Sequence, residues 1–210
     1  MYMITVVILS TEKSRKGIIY ATSKLQWKKM GFKVVDFLGI RTPGRTSQIV
    51  MRNWQRFFEL NKAGHSFANN IKGDIIIAED DVEWRLSEKE TMAKINKNKM
   101  NWLCHQKTFK DKIKGETKTI EVGTQAIFIP AKLKDAFSKK IMSHTGMHFD
   151  RWLSLHVDIV KPFKPKEHCA EYTSQSSTTG KIRKGKDIKA SKSPLPNVKP
   201  KGYLFKKTGK

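Results

Sequence analysis

Acidic side chains are scarce in this sequence: 19 Asp and Glu stand against 42 Lys and Arg, a formal net charge of +23. So large an excess points to a polyanionic partner, either nucleic acid or an anionic membrane surface. Cysteine is nearly absent. Cys104 and Cys169 are too few for a disulfide framework, no C-x-x-C spacing offers a zinc site, and both fit a reducing compartment. No apolar run is long enough to span a bilayer, and the apolar start MYMITVVIL lacks a basic leader and a small-residue cleavage site. A soluble, cytoplasmic protein with no stable membrane insertion is therefore expected. No internal repeat is visible.

What is present suffices for one core. With 210 residues, 38% of them hydrophobic, most of the chain is expected to fold as a single domain over residues 1–178. Residues 179–210 are rich in Lys, Ser, Pro and Gly and read as a flexible basic tail, with YLF at 203–205 as a candidate anchor. The charge is not confined there. Residues 181–210 carry eleven Lys or Arg and one Asp, which leaves 31 basic and 18 acidic residues in 1–180.

The element pattern is α/β. MITVVILS (3–10), FKVVDFLG (32–39) and DIIIAED (74–80) read as strands, the first a β-branched run of the sort expected of a strand buried on both faces. Between them lie two helical patterns, one directing Ile18, Ala21, Leu25 and Trp27 to a core, the other Val50, Trp54, Phe57, Phe58 and Leu60. The resulting β-α-β-α-β order predicts a mostly parallel, doubly wound sheet. Ser87-x-x-Glu90 predicts a capped helix. MNWLCHQ (100–106) and KTIEVGTQAIFIP (118–130) read as strands, AKLKDAFSKKI and HFDRWLSLH as helices.

The acids concentrate at one place. In DIIIAEDDVEW, four apolar residues run directly into Glu79, Asp80 and Asp81. Ligands of open α/β sheets bind at the carboxyl ends of strands. In an extended segment Glu79 and Asp81 would share one side and Asp80 the other. One or two carboxylates so placed suit a divalent cation whose shell is completed by substrate phosphate oxygens; a helix cap or pairing with surface Lys would explain the same acids.

IIIAEDDVEW resembles the acidic DXD-type motif of GT-A-fold glycosyltransferases, in the EDD form of family 25, the lipopolysaccharide-type enzymes. The segment from His65-Ser66 to Gly73 is similar to that family's Gly-x-x-x-Ser-His helix, with the order reversed here. VGTQAIFIP (122–130) resembles its Gly-Thr-x-Ala-Tyr strand, HFDRWLSLH its Asp-x-x-Leu helix, and KPKEHCAEYTSQSS its closing Pro…Gln…Ser-Ser segment. The pieces occur in order over residues 3–178; the tail lies outside the likeness.

The resemblance implies a GT-A-like (Rossmann-like) sheet flanked by helices and a nucleotide-sugar donor, a UDP-sugar at family level, bound with Mn2+ or Mg2+. It places Ser10, Thr11 and Glu12 at the base or ribose, with Lys13 and Arg15 toward phosphates. Asp81, Glu79 and the late His168 become candidate metal ligands, with Asp80 also at the donor. Gly123, Thr124 and Gln125 become the wall of the sugar or acceptor pocket. Asp150 becomes the base that deprotonates the acceptor in an inverting transfer, an N-cap for the helix after it being the structural alternative. The spread of positive charge favours double-stranded DNA as acceptor, as in bacteriophage enzymes that decorate hydroxymethylated pyrimidines in their own DNA, acting in the host cytoplasm. Such an enzyme reaches the base in the groove or flips it out, and Trp84, Phe149 and Trp152 are candidates to stack on it. The alternatives are a lipopolysaccharide or capsule transferase at the membrane surface, and a non-catalytic nucleic-acid-binding protein. Oligomeric state is left open.

Overall fold

The computed structural model describes residues 4–11, 18–40, 46–62, 71, 73–113, 115–144 and 148–171. Its centre is a six-stranded sheet in the order β2-β1-β3-β8-β5-β9. The strands are β1 Thr5–Ser10, β2 Lys33–Leu38, β3 Ile75–Glu79, β5 Met100–Cys104, β8 Ala126–Ile129 and β9 Ile159–Val160. β1 runs parallel to β2 and β3, β8 runs antiparallel to β3 and β5, and β9 is parallel to β5. Only β8 is therefore reversed. The expected α/β architecture, a mostly parallel sheet flanked by helices, is what the chain forms.

Alternation along the buried strands feeds two cores. Val7, Ile75 and Ile77 point to one face, where they meet Trp54, Phe57 and Phe58 of helix α2 (Thr46–Lys62), Phe137 and Ile141 of α4 (Lys134–Met142) and Phe149 and Leu153 of α5 (Phe149–His156). Val6, Ile8, Ile76 and Ala78 point to the other, against Trp27 of α1 (Ile18–Lys29) and Trp84 of β4 (Val82–Trp84). Trp27 and Trp84 stack 5.8 Å apart. Helix α3 (Glu88–Lys94) carries the expected capping box, Ser87 and Glu90 each serving the other's backbone.

Three expectations about elements are corrected. Helix α1 does not turn Ile18 and Leu25 inward; they are 66% and 52% exposed. It buries Ser23 and Gln26 beside Trp27, and those side chains donate to the Val82 and Trp84 carbonyls at 2.7 and 3.0 Å. β4 pairs on its other side with β10 (Cys169–Glu171), so the two polar residues satisfy an edge that, among the described residues, no strand covers. The segment 118–130 is two strands, β7 (Glu116–Val122) and β8, broken at Gly123. β7 pairs with β6 (Lys107–Ile113) in a separate hairpin. Finally, Cys104 and Cys169 are joined in a disulfide, Cα atoms 5.8 Å apart, rather than standing as two thiols. The fold brings the end of β5 and the start of β10 together across 65 residues, a proximity no local spacing signals.

Candidate functional site

The acids close the central strand β3 at its carboxyl end, flanked by β1 and by the start of β8. Glu79 keeps the strand's alternation, which places it on the same face as Ile75 and Ile77 and therefore toward α5. Asp80 and Asp81 form a two-residue turn into β4, so the expected sharing of one side by Glu79 and Asp81 is replaced by a bend. All three are half-buried, and Asp80 Oδ2 and Asp81 Oδ1 are shielded from solvent. The anchoring of α1 on the β4 carbonyls fixes the far side of that turn.

Opposite the acids stands the bend Gly123–Gln125. The Glu79 N–H donates to the Gln125 carbonyl at 2.8 Å, and the Thr124 hydroxyl donates to Glu79 Oε1 at 3.2 Å. The Gly123 N–H donates to Asp150 Oδ2 at 3.1 Å. Adjacent residues of one bend thus reach the two carboxylates, Thr124 by its hydroxyl and Gly123 by its N–H. Gly123 has φ of +97°, and a Cβ there would stand 2.6 Å from Gln125 Oε1 and 2.9 Å from the Gln106 nitrogen. Glycine is required at this position. Its carbonyl accepts from the Trp102 indole at 2.8 Å.

Asp150 is not an N-cap: helix α5 is capped at His148, and Asp150 lies in its first turn. Burial pushes its carboxyl above the usual range, an effect opposed by the Gly123 N–H, His148 and Thr124. A carboxylate so placed holds a proton more readily than a surface Asp does. Beside it a second buried cluster braces the bend. Glu121 accepts from Lys161 at 2.9 Å and Thr108 at 2.5 Å, lies 3.3 Å from His105 Nε2, and its N–H donates to Ser154 of α5. Burial holds the His105 imidazole below its usual range, with Glu121 opposing and Lys161 reinforcing. None of Glu121, Ser154 and Lys161 belongs to a motif, and the alternation of TKTIEV sets Glu121 with the exposed Thr117 and Thr119, opposite Ile120, so no local pattern announces its burial.

Of the other expected residues, Ser10 and Thr11 are buried at the same end of the sheet, Ser10 donating to the Phe37 carbonyl at 3.2 Å. Glu12, Lys13 and Arg15 lie outside the described residues, as do His65, Ser66 and the tail 179–210. His168 stands apart from the acids. The β4–β10 register sets Cys169 against Trp84 and Glu171 against Val82, so His168 lies beside Arg85, whose N–H donates to its carbonyl at 3.0 Å. That is four residues from Asp81, about 13 Å along an extended strand. Its Nε2 sits 3.4 Å from Lys94 Nζ and 3.4 Å from Glu167 Oε1. The ring therefore serves the end of α3, away from the acids. Trp84, Phe149 and Trp152 are buried in the two cores, so their expected role as stacking platforms is also corrected.

Among the described residues no three His, Cys, Asp or Glu side chains converge as a complete metal cage. The donor set at the turn is nonetheless all carboxylate, with solvent-shielded oxygens on Asp80 and Asp81. Such a set fits a hard cation held by one or two carboxylates and completed by substrate.

No protein-family model matches the sequence, and no curated protein matches it. Among solved structures, a glycosyltransferase involved in glycosylation of the major capsid of PBCV-1 superimposes with a TM-score of 0.46 at 11% identity, over 78% of this chain and 82% of that one. The glycosyltransferase GlyE of Streptococcus pneumoniae TIGR4 gives 0.41 at 9% identity, over 77% of this chain and 45% of that one. Likeness at these scores carries no weight for function.

Proposed function

We propose that this protein is a metal-dependent glycosyltransferase. It moves a sugar from a nucleotide-diphosphate donor, a UDP-sugar, to the hydroxyl of a hydroxymethylated pyrimidine in duplex DNA. The observation that carries the reading is the Gly123–Thr124 bend, whose Thr124 hydroxyl donates to Glu79 and whose Gly123 N–H donates to Asp150. It joins a carboxylate cluster suited to cation and diphosphate to a single buried carboxylate suited to proton transfer.

Asp80 and Asp81, with Glu79, would hold Mn2+ or Mg2+, which when bound neutralises the diphosphate. The chain's own residues supply the rest. Asp150 takes the acceptor's proton as the acceptor oxygen bonds to the anomeric carbon. The bond from that carbon to the diphosphate oxygen breaks, and its electron pair leaves with the nucleoside diphosphate. A single displacement of this kind inverts the anomeric centre. Gly123 lets the backbone approach the reacting groups, and its N–H orients the Asp150 carboxylate.

The test is metal-dependent UDP release from a panel of UDP-sugars, with Mn2+, with Mg2+ and with EDTA. Release that requires metal and falls at least a hundredfold in Asp81→Ala is expected. Release insensitive to EDTA and to Asp81→Ala would contradict the assignment of the acids.

A further inference from the structure

The β6–β7 hairpin has no part in donor binding or proton transfer as described, yet it rises from the same end of the sheet. Its first strand follows Cys104 of β5, and its second runs directly into Gly123, Thr124 and Gln125. Antiparallel pairing sorts its side chains onto two faces. Lys110 opposes Thr119 and Lys112 opposes Thr117, so these four share a face with Thr108, and all five are exposed. The acid on that face, Glu121, is buried at the base and engaged by Lys161 and Thr108. The opposite face neutralises itself: Asp111 pairs with Arg151 at 3.0 Å and Glu116 with Lys118. Among the described residues no salt bridge engages Lys110 or Lys112.

We infer that this Lys/Thr face is the surface on which a duplex nucleic-acid acceptor lies, its phosphates against Lys110 and Lys112 and the modified base delivered to the hairpin's root beside Asp150. The inference rests on the transferase reading above and adds where the acceptor is held. Lysines two apart on one strand stand about 7 Å from each other, and the interleaved threonine hydroxyls are donors that phosphate oxygens accept. A two-stranded ribbon fits the major groove, where a hydroxymethyl group would project. The chemistry favours nucleic acid over a membrane because the hairpin's exposed aromatic, Phe109, lies on the other face beside Lys107, leaving the Lys/Thr face no apolar wedge to insert.

The experiment measures binding of a 30-base-pair duplex to the full-length protein by fluorescence anisotropy across a salt series. It compares the unmodified chain, Lys110→Gln/Lys112→Gln, and Lys28→Gln/Lys29→Gln on exposed positions of α1. Thermal melts check that both variants fold, and vesicles containing phosphatidylserine are titrated in parallel. Loss of two phosphate contacts makes the log–log salt slope shallower by about 1.8. That change is expected in the hairpin variant and not in the α1 variant. An unchanged slope in the hairpin variant, or equal changes in both, would overturn the inference, as would binding to vesicles with none to duplex. UDP release by the unmodified chain is measured alongside; its absence would refute the transferase reading, while the slopes would still decide the hairpin.

Discussion

At the scale of single residues, the site turns on one carboxyl group held in an uncommon state. Asp150 is pushed upward by burial, so at low pH it carries a proton and cannot act as base. Transfer is expected to fall as pH drops through that raised value, and Asp150→Asn should remove this limb of the profile while lowering the rate by about 10²–10⁴. The stability sign is the reverse of the usual acid case. A carboxyl whose folded pKa is raised contributes stability below its unfolded value, and this is lost as pH rises through the folded one. Asp150→Asn should therefore melt higher than the unmodified protein near neutrality, with the advantage shrinking in acid; a lower melting temperature at neutral pH would contradict the burial argument. Gly123 is the second single-residue test. With φ at +97° and backbone within 2.9 Å of a would-be Cβ, Gly123→Ala is expected to cost about 1–3 kcal/mol in a denaturant titration.

At the scale of elements, what could be read from the sequence follows from what each segment buries. β1 and β3 were legible because burial on both faces leaves near-continuous β-branched runs, and the acids that follow β3 stand out against them. α1 was misread because its inward residues, Ser23 and Gln26, are polar and do their work on the carbonyls of β4. No hydrophobic period can announce that. Gln26→Leu should strip a buried carbonyl of its donor and cost about 1–3 kcal/mol, measured by urea unfolding. Of the β6–β7 hairpin only the end of β7 was legible, as part of one strand with β8: β6 is mostly exposed, and Ile120 is the one apolar residue deeply buried in the hairpin. The Cys104–Cys169 bond was hidden because it depends on β10 reaching β4. Thiol titration of the unfolded, unreduced protein should find no free thiol, and Cys169→Ser should lose about 2–4 kcal/mol. Two reactive thiols would show that the bond does not form.

At the scale of the whole molecule, the fold solves a problem of opposite charges. A chain of net charge +23 gathers its carboxylates where five parallel strands end and one reversed strand begins. The bend after the hairpin then holds both Asp150, through the Gly123 N–H, and Glu79, through the Thr124 hydroxyl. Positions on one strand end could be inferred from sequence; the approach of α5 to that end could not, because it is set by packing between elements far apart in the chain. The place of His168, beside Arg85, could not be inferred for the same reason, being set by the β4–β10 register. Surrounding positive charge suits an acceptor that is itself an anion, and carboxylates inside such a surface are tolerable where a cation bridges them to phosphate.

That account is tested most directly by transfer of labelled sugar from UDP donors to hydroxymethylated duplex DNA, with Mn2+ or with EDTA, using the unmodified protein and Asp81→Ala. Label in DNA that requires metal and is abolished by Asp81→Ala is the predicted result. Metal-dependent release of UDP with no label in DNA would contradict the acceptor and redirect the search to glycans, and labelling unaffected by Asp81→Ala would contradict the site itself.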